Sequence, residues 1–171
     1  CHLSVLRRGK LVVLKEELSP ARVRLSVPVG GRFSPVETVS GRLLLAYLSA
    51  KELAAFLQNC TEYRLLDRAG QAAFGDKLAE IRATGVSKAA SETHLGVSDA
   101  AVLVGNPHVG LCAALADPSL HSTQFSLAQF QQGALAGNIS FISLCDGCLE
   151  RHVMRFLDHL VRAIHFSKRL E

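Results

Sequence analysis

No apolar run in the sequence approaches the roughly 20 residues that a membrane-spanning helix needs, so no membrane partner is expected and the cytoplasm is the expected compartment. A basic-then-apolar leader is missing as well: the opening CHLSVLRRGKLVVL alternates and carries charge. There is no helix-turn-helix pattern, no zinc-finger spacing and no basic stripe interleaved with aromatics, so direct reading of DNA is not expected from these residues. The net charge of +4 would permit nucleic-acid contact, but the charges are mixed. Arg7, Arg8 and Lys10 sit at one turn, and Glu16, Glu17, Glu52 and Glu80 are scattered among other bases. A solvated mixed surface explains that pattern better than a DNA-binding patch.

The marks of catalysis are missing too. There is no G-x-S-x-G elbow, no phosphate loop and no His-Glu-x-x-His. A nucleophilic site could be assembled only from dispersed parts, Cys112, His94 and Asp99, which would have to come within hydrogen-bond reach. The chain is therefore expected not to be an enzyme and to need no cofactor. Cys145-Asp146-Gly147-Cys148, with His152 four residues on, is a weak metal candidate. Zinc wants four ligands and one C-x-x-C supplies two, with Cys60 and Cys112 lying apart from it. A turn carrying two reduced thiols is the plainer reading.

What is present is an ordinary globular composition: 171 residues, 49% hydrophobic and 20% charged, enough for one domain with its own core. Opening at Cys1 inside an apolar run, the chain reads as part of a longer protein. His2–Leu6 and Leu11–Leu14 are strands of a hairpin turning at Arg8-Gly9-Lys10. Arg22–Val27 alternates strictly, which predicts a half-buried strand, and Pro28-Val29-Gly30-Gly31 breaks it. Gly41–Leu48 is an apolar helix. Ser49-Ala50-Lys51-Glu52 fits a capping box that starts a helix running to Cys60.

Further along, Gln71–Thr84 places Phe74, Leu78 and Ile81 on one helical stripe, with Gly85 as its stop. Val86–Thr93, Ala100–Val104 and Val109–Ala116 follow as apolar runs, the last two joined by a Gly105-Asn106-Pro107-His108 turn. A long amphipathic helix carrying Val153, Leu157, Leu160 and Ile164 closes the chain; that stripe serves the core more readily than a partner. The order predicts an α+β domain with a mainly antiparallel sheet flanked by helices.

The segment Arg24–Leu57 carries a resemblance. Its strand, apolar-Pro-x-Gly turn, Thr-x-x-Gly-Lys helix start, Leu-Leu-Ala helix and Ser-capped Glu-Leu helix resemble the IclR (isocitrate lyase regulator) family of bacterial transcription regulators. Thr38, Gly41 and Arg42 stand at the Thr, Gly and Lys positions, and Leu44-Leu45-Ala46 follows. The helix end at Leu78–Gly85, Ser91-Glu92 with Gly96-Val97, the opening hairpin and the closing helix fit the same order.

The resemblance implies a GAF-like (profilin-like) effector-binding domain spanning 1–171 that assembles as a homodimer or homotetramer. DNA would be met only through a winged helix-turn-helix upstream of these residues. A ligand-free assembly domain of the same family is the alternative. The implied effector site comprises Thr38, Val39, Ser40 and Gly41 at the helix start with Ala89, Ser98 and Asp99 on the middle strands.

Two positions on the last strand complete it. They are Ala114 and Ala116 if Val109–Pro118 is that strand, or Ser140 among them if Ile139–Leu144 is. Small-acid binders of the family carry paired serines there, Arg-Cys or Arg-Ser at Ser98-Asp99, and an acidic residue near Ala89. With those groups replaced and Asp99 present, the expected effector is apolar or amine-bearing rather than a small acid, or there is none.

Overall fold

The first hairpin forms as its sequence directs. In the computed structural model, which describes residues 2–16, 18, 25–90, 97–106 and 111–120, β1 (His2–Arg7) and β2 (Lys10–Glu16) pair antiparallel. They are joined through Arg8 and Gly9 at φ 49° and 74°. Two successive positive φ values make the tight turn whose twist suits a hairpin. β3 (Arg32–Phe33) pairs with β2, Phe33 opposite Leu11.

The expected strand at Arg22–Val27 is not seen where it is described: Leu25–Val27 lies outside the sheet. The side of β2 away from β1 is already engaged, by β3 and by the residues just before it. Val13 exchanges backbone hydrogen bonds with Gly30 and Gly31. The amide of Val27 instead donates to the Glu16 carboxylate, which Ser26 Oγ also reaches at 3.1 Å.

Four helices follow. α1 (Val39–Ala46) is buried at every position, as an all-round apolar helix must be. α2 (Ala50–Asn59) opens on the expected capping box: Ser49 Oγ accepts from the Glu52 amide, and the Glu52 carboxylate accepts from the Ser49 amide at 3.0 Å. α3 (Thr61–Arg64) is one short turn that the sequence reading did not include. α4 (Arg68–Thr84) begins three residues before the expected Gln71, because Asp67 caps it by accepting from the Gly70 amide at 2.7 Å. Phe74, Leu78 and Ile81 are its buried residues, and Gly85, at φ 74°, ends it in the left-handed conformation.

β4 (Val86–Ala90), β5 (Val97–Asn106) and β6 (Leu111–Leu120) complete a six-stranded sheet in the order β3-β2-β1-β6-β5-β4. Every described pairing is antiparallel. The fold is therefore α+β, as expected. The expected closing helix lies outside the described residues. α1 packs across β5, β6, β4 and β1 and against α4. One core cluster links Val39, Leu43, Leu44 and Leu45 of α1 to Ala101 of the sheet and to Phe74, Leu78 and Ile81. Arg82 ties the two helices further, its Nε donating to Ala46 O and its Nη2 to Leu48 O at 3.4 Å.

One surface ion pair fastens this helical layer to the hairpin. Lys10 Nζ lies 2.9 Å from Glu62 Oε1. The hydrogen bond from Lys10 lowers the Glu62 pKa to about 2 from its ordinary 4.5. A carboxylate whose folded pKa is depressed contributes stability that is complete above its unfolded pKa and is lost as pH falls through the folded one. The contribution of this pair is thus expected to fade between pH 4.5 and about 2. Lys10→Met should flatten that part of a curve of chemical stability against pH, modestly, because Lys10 is exposed. A variant whose acid limb superimposed on that of the parent would show that the pair does not contribute.

Candidate functional site

The start of α1 is built by its own sequence. Thr38 is the N-cap: its Oγ1 accepts from the Gly41 amide at 3.3 Å and donates to Ser34 O at 2.9 Å. The first intrahelical bond runs from Arg42 N to Thr38 O. The amides of Val39 and Ser40 lie ahead of both bonds and can have no partner within the helix. Both residues are buried, 4% exposed each. Gly41 sits against Pro35, where a Cβ would come within 2.3 Å of Pro35 Cα. Arg42 follows, buried, with Nη1 donating to Val36 O at 3.4 Å. The result is a buried helix N-terminus whose dipole and amides favour negative charge.

The sheet beneath places the other predicted positions by register. Ala89 and Asp99 stand directly opposite each other on β4 and β5. Ala114 of β6 is opposite Leu103 and Ser4, and Ala116 is opposite Ala101 and His2. Directly opposed residues share a face, and Ala89, Ala101 and Leu103 all belong to the cluster packed under α1. Ala89 and Asp99 therefore lie on the sheet face that α1 covers, with Ala114 and Ala116 at register positions of the same face. Ser98 does not join them. It pairs with Ala90 and Ser119, one residue out of step with Asp99, and so lies on the other face.

Of the two placements of the last strand, Leu111–Leu120 is the one described, between β1 and β5. Ser140 lies outside the described residues, as do Cys145, Cys148 and His152. Among the described residues no group of three His, Cys, Asp or Glu side chains could hold a metal. None of the described helices is long and apolar enough to cross a membrane.

The parts considered for a nucleophilic site are not brought together. The Asp99–Pro118 and Gly105–Cys112 pairs are six steps apart along β5, about 20 Å at ~3.4 Å per residue, and His94 lies outside the described residues. Cys60 is buried, and that burial raises its thiol pKa above the ordinary value; its Sγ donates to Glu62 Oε2 at 3.4 Å. It is held as a thiol, not as the thiolate that nucleophiles and metal ligands require.

Two residues of this region escaped the sequence reading. Ser4 on β1 and Ser87 on β4 are both 0% exposed, and among the described residues neither hydroxyl has a hydrogen-bond partner. The available signal was a lone serine at an in-facing step of an apolar strand: His2, Ser4 and Leu6 alternate on one side.

The sequence matches the family of bacterial transcriptional regulators described as IclR C-terminal, over residues 1–135. No curated protein matches it. Among solved structures it is similar to an IclR transcriptional regulator from Alicyclobacillus acidocaldarius, at 21% identity and a TM-score of 0.63, over 80% of this chain and 56% of that one. It is also similar to an IclR homolog from Microbacterium hydrocarbonoxydans complexed with 4-hydroxybenzoate, at 20% identity and a TM-score of 0.65, over 80% of this chain and 57% of that one. A third likeness is to the inducer-binding domain of the PobR transcription factor from Acinetobacter, a double mutant in complex with 3-hydroxybenzoic acid. There the identity is 22% and the TM-score 0.61, over 80% of this chain and 83% of that one. The chain thus spans little more than half the length of the first two. These likenesses show the fold, the expected GAF-like α+β arrangement.

They also overturn one expectation. An effector that is apolar or amine-bearing rather than a small acid was inferred from side chains alone, yet both of those complexes hold small aromatic acids. The physical reason lies in the backbone. A carboxylate can be held by the amides and dipole of a helix start, and exchanging serines for Ala114 and Ala116 leaves the amides of Val39 and Ser40 in place.

Proposed function

The chain belongs to the bacterial IclR family of transcriptional regulators, matching its C-terminal domain, and from that premise we propose that it is an effector-sensing domain whose ligand is a small organic acid. The observation that carries this reading is the buried start of α1, capped by Thr38, on a helix that packs across the sheet face holding Ala89, Asp99 and Ala101. Two amides with no partner inside the helix, and the helix's positive end, suit a carboxylate. Hydroxybenzoates are the ligands of two similar structures. In the longer protein that this implies, DNA contact belongs to a winged helix-turn-helix module upstream, and the regulator works in the cytoplasm. The effector would shift that module between two states by binding one of them better.

The test is thermal unfolding with 4-hydroxybenzoate, 3-hydroxybenzoate, benzoate and pyruvate. An acid at about 100 times its Kd adds about 2.7 kcal/mol, which for a chain of this size raises the Tm by roughly 5–10 °C. At least one aromatic acid is expected to do so. Should none of the four move the Tm, the sensing reading fails and an assembly role is what remains.

A further inference from the structure

Of the two orphaned hydroxyls on the helix-covered face, one lies where a bound acid would need a donor. Ser4 is 0% exposed, and its Oγ has no hydrogen-bond partner among the described residues. A hydroxyl removed from water without a partner is an uncompensated cost, and native proteins pair nearly all such groups with protein, water or ligand. The ladder is irregular beside Ser4: the register of β1 on β2 shifts between Leu3 and Ser4, with Leu14 the extra residue on β2. Ser4 is two residues from Leu6, which packs against the cluster containing Val39 and Leu43, so it lies on the α1 side of the sheet.

Ser87 is equally buried and equally unpartnered, but it sits at the other end of the helix. β4 follows Gly85, whose Cβ position lies 3.9 Å from the Tyr47 hydroxyl at the C-terminus of α1. The start of α1, by contrast, is tethered to the β1–β2 side: Phe33 pairs with Leu11, and Val36 and Val39 pack with Leu11 in one cluster. Ser4 and Ser87 are separated by three strand spacings, about 14 Å at ~4.8 Å each, so a small acid reaches one of them and not both. Ser4 is also directly opposite Ala114, where no side-chain donor exists.

We propose that Ser4 is a specificity-determining residue of the effector site, its hydroxyl donating a hydrogen bond to an oxygen of the acid held at the amides of Val39 and Ser40. The proposal rests on the sensing function inferred above, and its experiment separates the two. Ser4→Ala and Ser87→Ala are made in the full chain and titrated calorimetrically with 4-hydroxybenzoate and 3-hydroxybenzoate, alongside thermal unfolding without ligand. Ser4→Ala is expected to weaken the acid that binds by about tenfold or more, while its unliganded Tm stays equal or rises, since an unmet hydroxyl has been removed. Ser87→Ala is expected to stay within about twofold in affinity. Ser4→Cys keeps the volume with a weaker donor and is expected to lose affinity by less; it takes the place of the alanine variant if that one does not fold.

Unchanged affinity in Ser4→Ala, with the parent binding normally, would overturn the role of Ser4 and leave the sensing function standing, the hydroxyl then serving a buried water. A marked fall in the unliganded Tm of Ser4→Ala would overturn it too, by showing a structural partner. A parent chain that binds neither hydroxybenzoate, and is not stabilised by benzoate or pyruvate either, removes both inferences together.

Discussion

Gly41→Ala is expected to lower stability by about 3 kcal/mol, the upper end of what overpacking costs, and the Tm by roughly 6–12 °C. The Cβ it adds would stand 2.3 Å from Pro35 Cα, 2.4 Å from Pro35 O and 2.6 Å from Thr38 Oγ1. Two of those three atoms are backbone, so no rotamer change relieves the clash. The start of α1 must move off the Pro35 turn, and with it the Thr38 cap and the amides that face the proposed effector. Binding of the acid should therefore be lost along with the stability. Gly75→Ala is the internal control: it lies within α4 with nothing inside 4 Å of the added Cβ, and should stabilise by about 0.5–1 kcal/mol through reduced chain entropy. Denaturant unfolding of both variants decides. Equal stability of the two would mean that Gly41 is not held against Pro35.

Leu43→Ala should be comparably severe for a different reason. Leu43 is 0% exposed at the centre of α1, inside the cluster that joins the helix to Ala101 of the sheet and Phe74, Leu78 and Ile81 of α4. Truncating it removes buried methyl groups and leaves a cavity that two packed layers cannot both close, at about 2–5 kcal/mol. Leu65→Ala, at a leucine 81% exposed, should stay within about 0.5 kcal/mol. Urea midpoints at constant m-value measure both. A Leu43 loss below about 1 kcal/mol would show that α1 rides on the sheet loosely, and the effector site with it.

The features that could be read along the chain are those whose cause is local. The Ser49–Glu52 box, the Gly85 stop and the Arg8-Gly9 turn depend on residues a few positions apart. The Phe74, Leu78 and Ile81 stripe follows from helical period alone. The misreadings share a cause of the opposite kind. Arg22–Val27 alternates like a strand, but alternation cannot say whether a neighbouring edge is free, and Gly30 and Gly31 had taken Val13. Ser98 and Asp99 enter together from the family's Arg-Cys positions, while a pleated strand sends neighbours to opposite faces.

By itself, then, the sequence determined the hairpin, the Ser49 cap and the Gly85 stop, the apolar helix expected at Gly41–Leu48 and seen at Val39–Ala46 and, through the order of these elements, the family and its α+β fold. Only the tertiary structure decided which strand edges were occupied, which side each strand residue faced, and that Ser4 and Ser87 would be buried without partners. The division has a physical origin. Turn, cap and period energies act between residues close along the chain, whereas register and desolvation are set by strands distant in sequence, and a shift of one residue exchanges every inward side chain for an outward one.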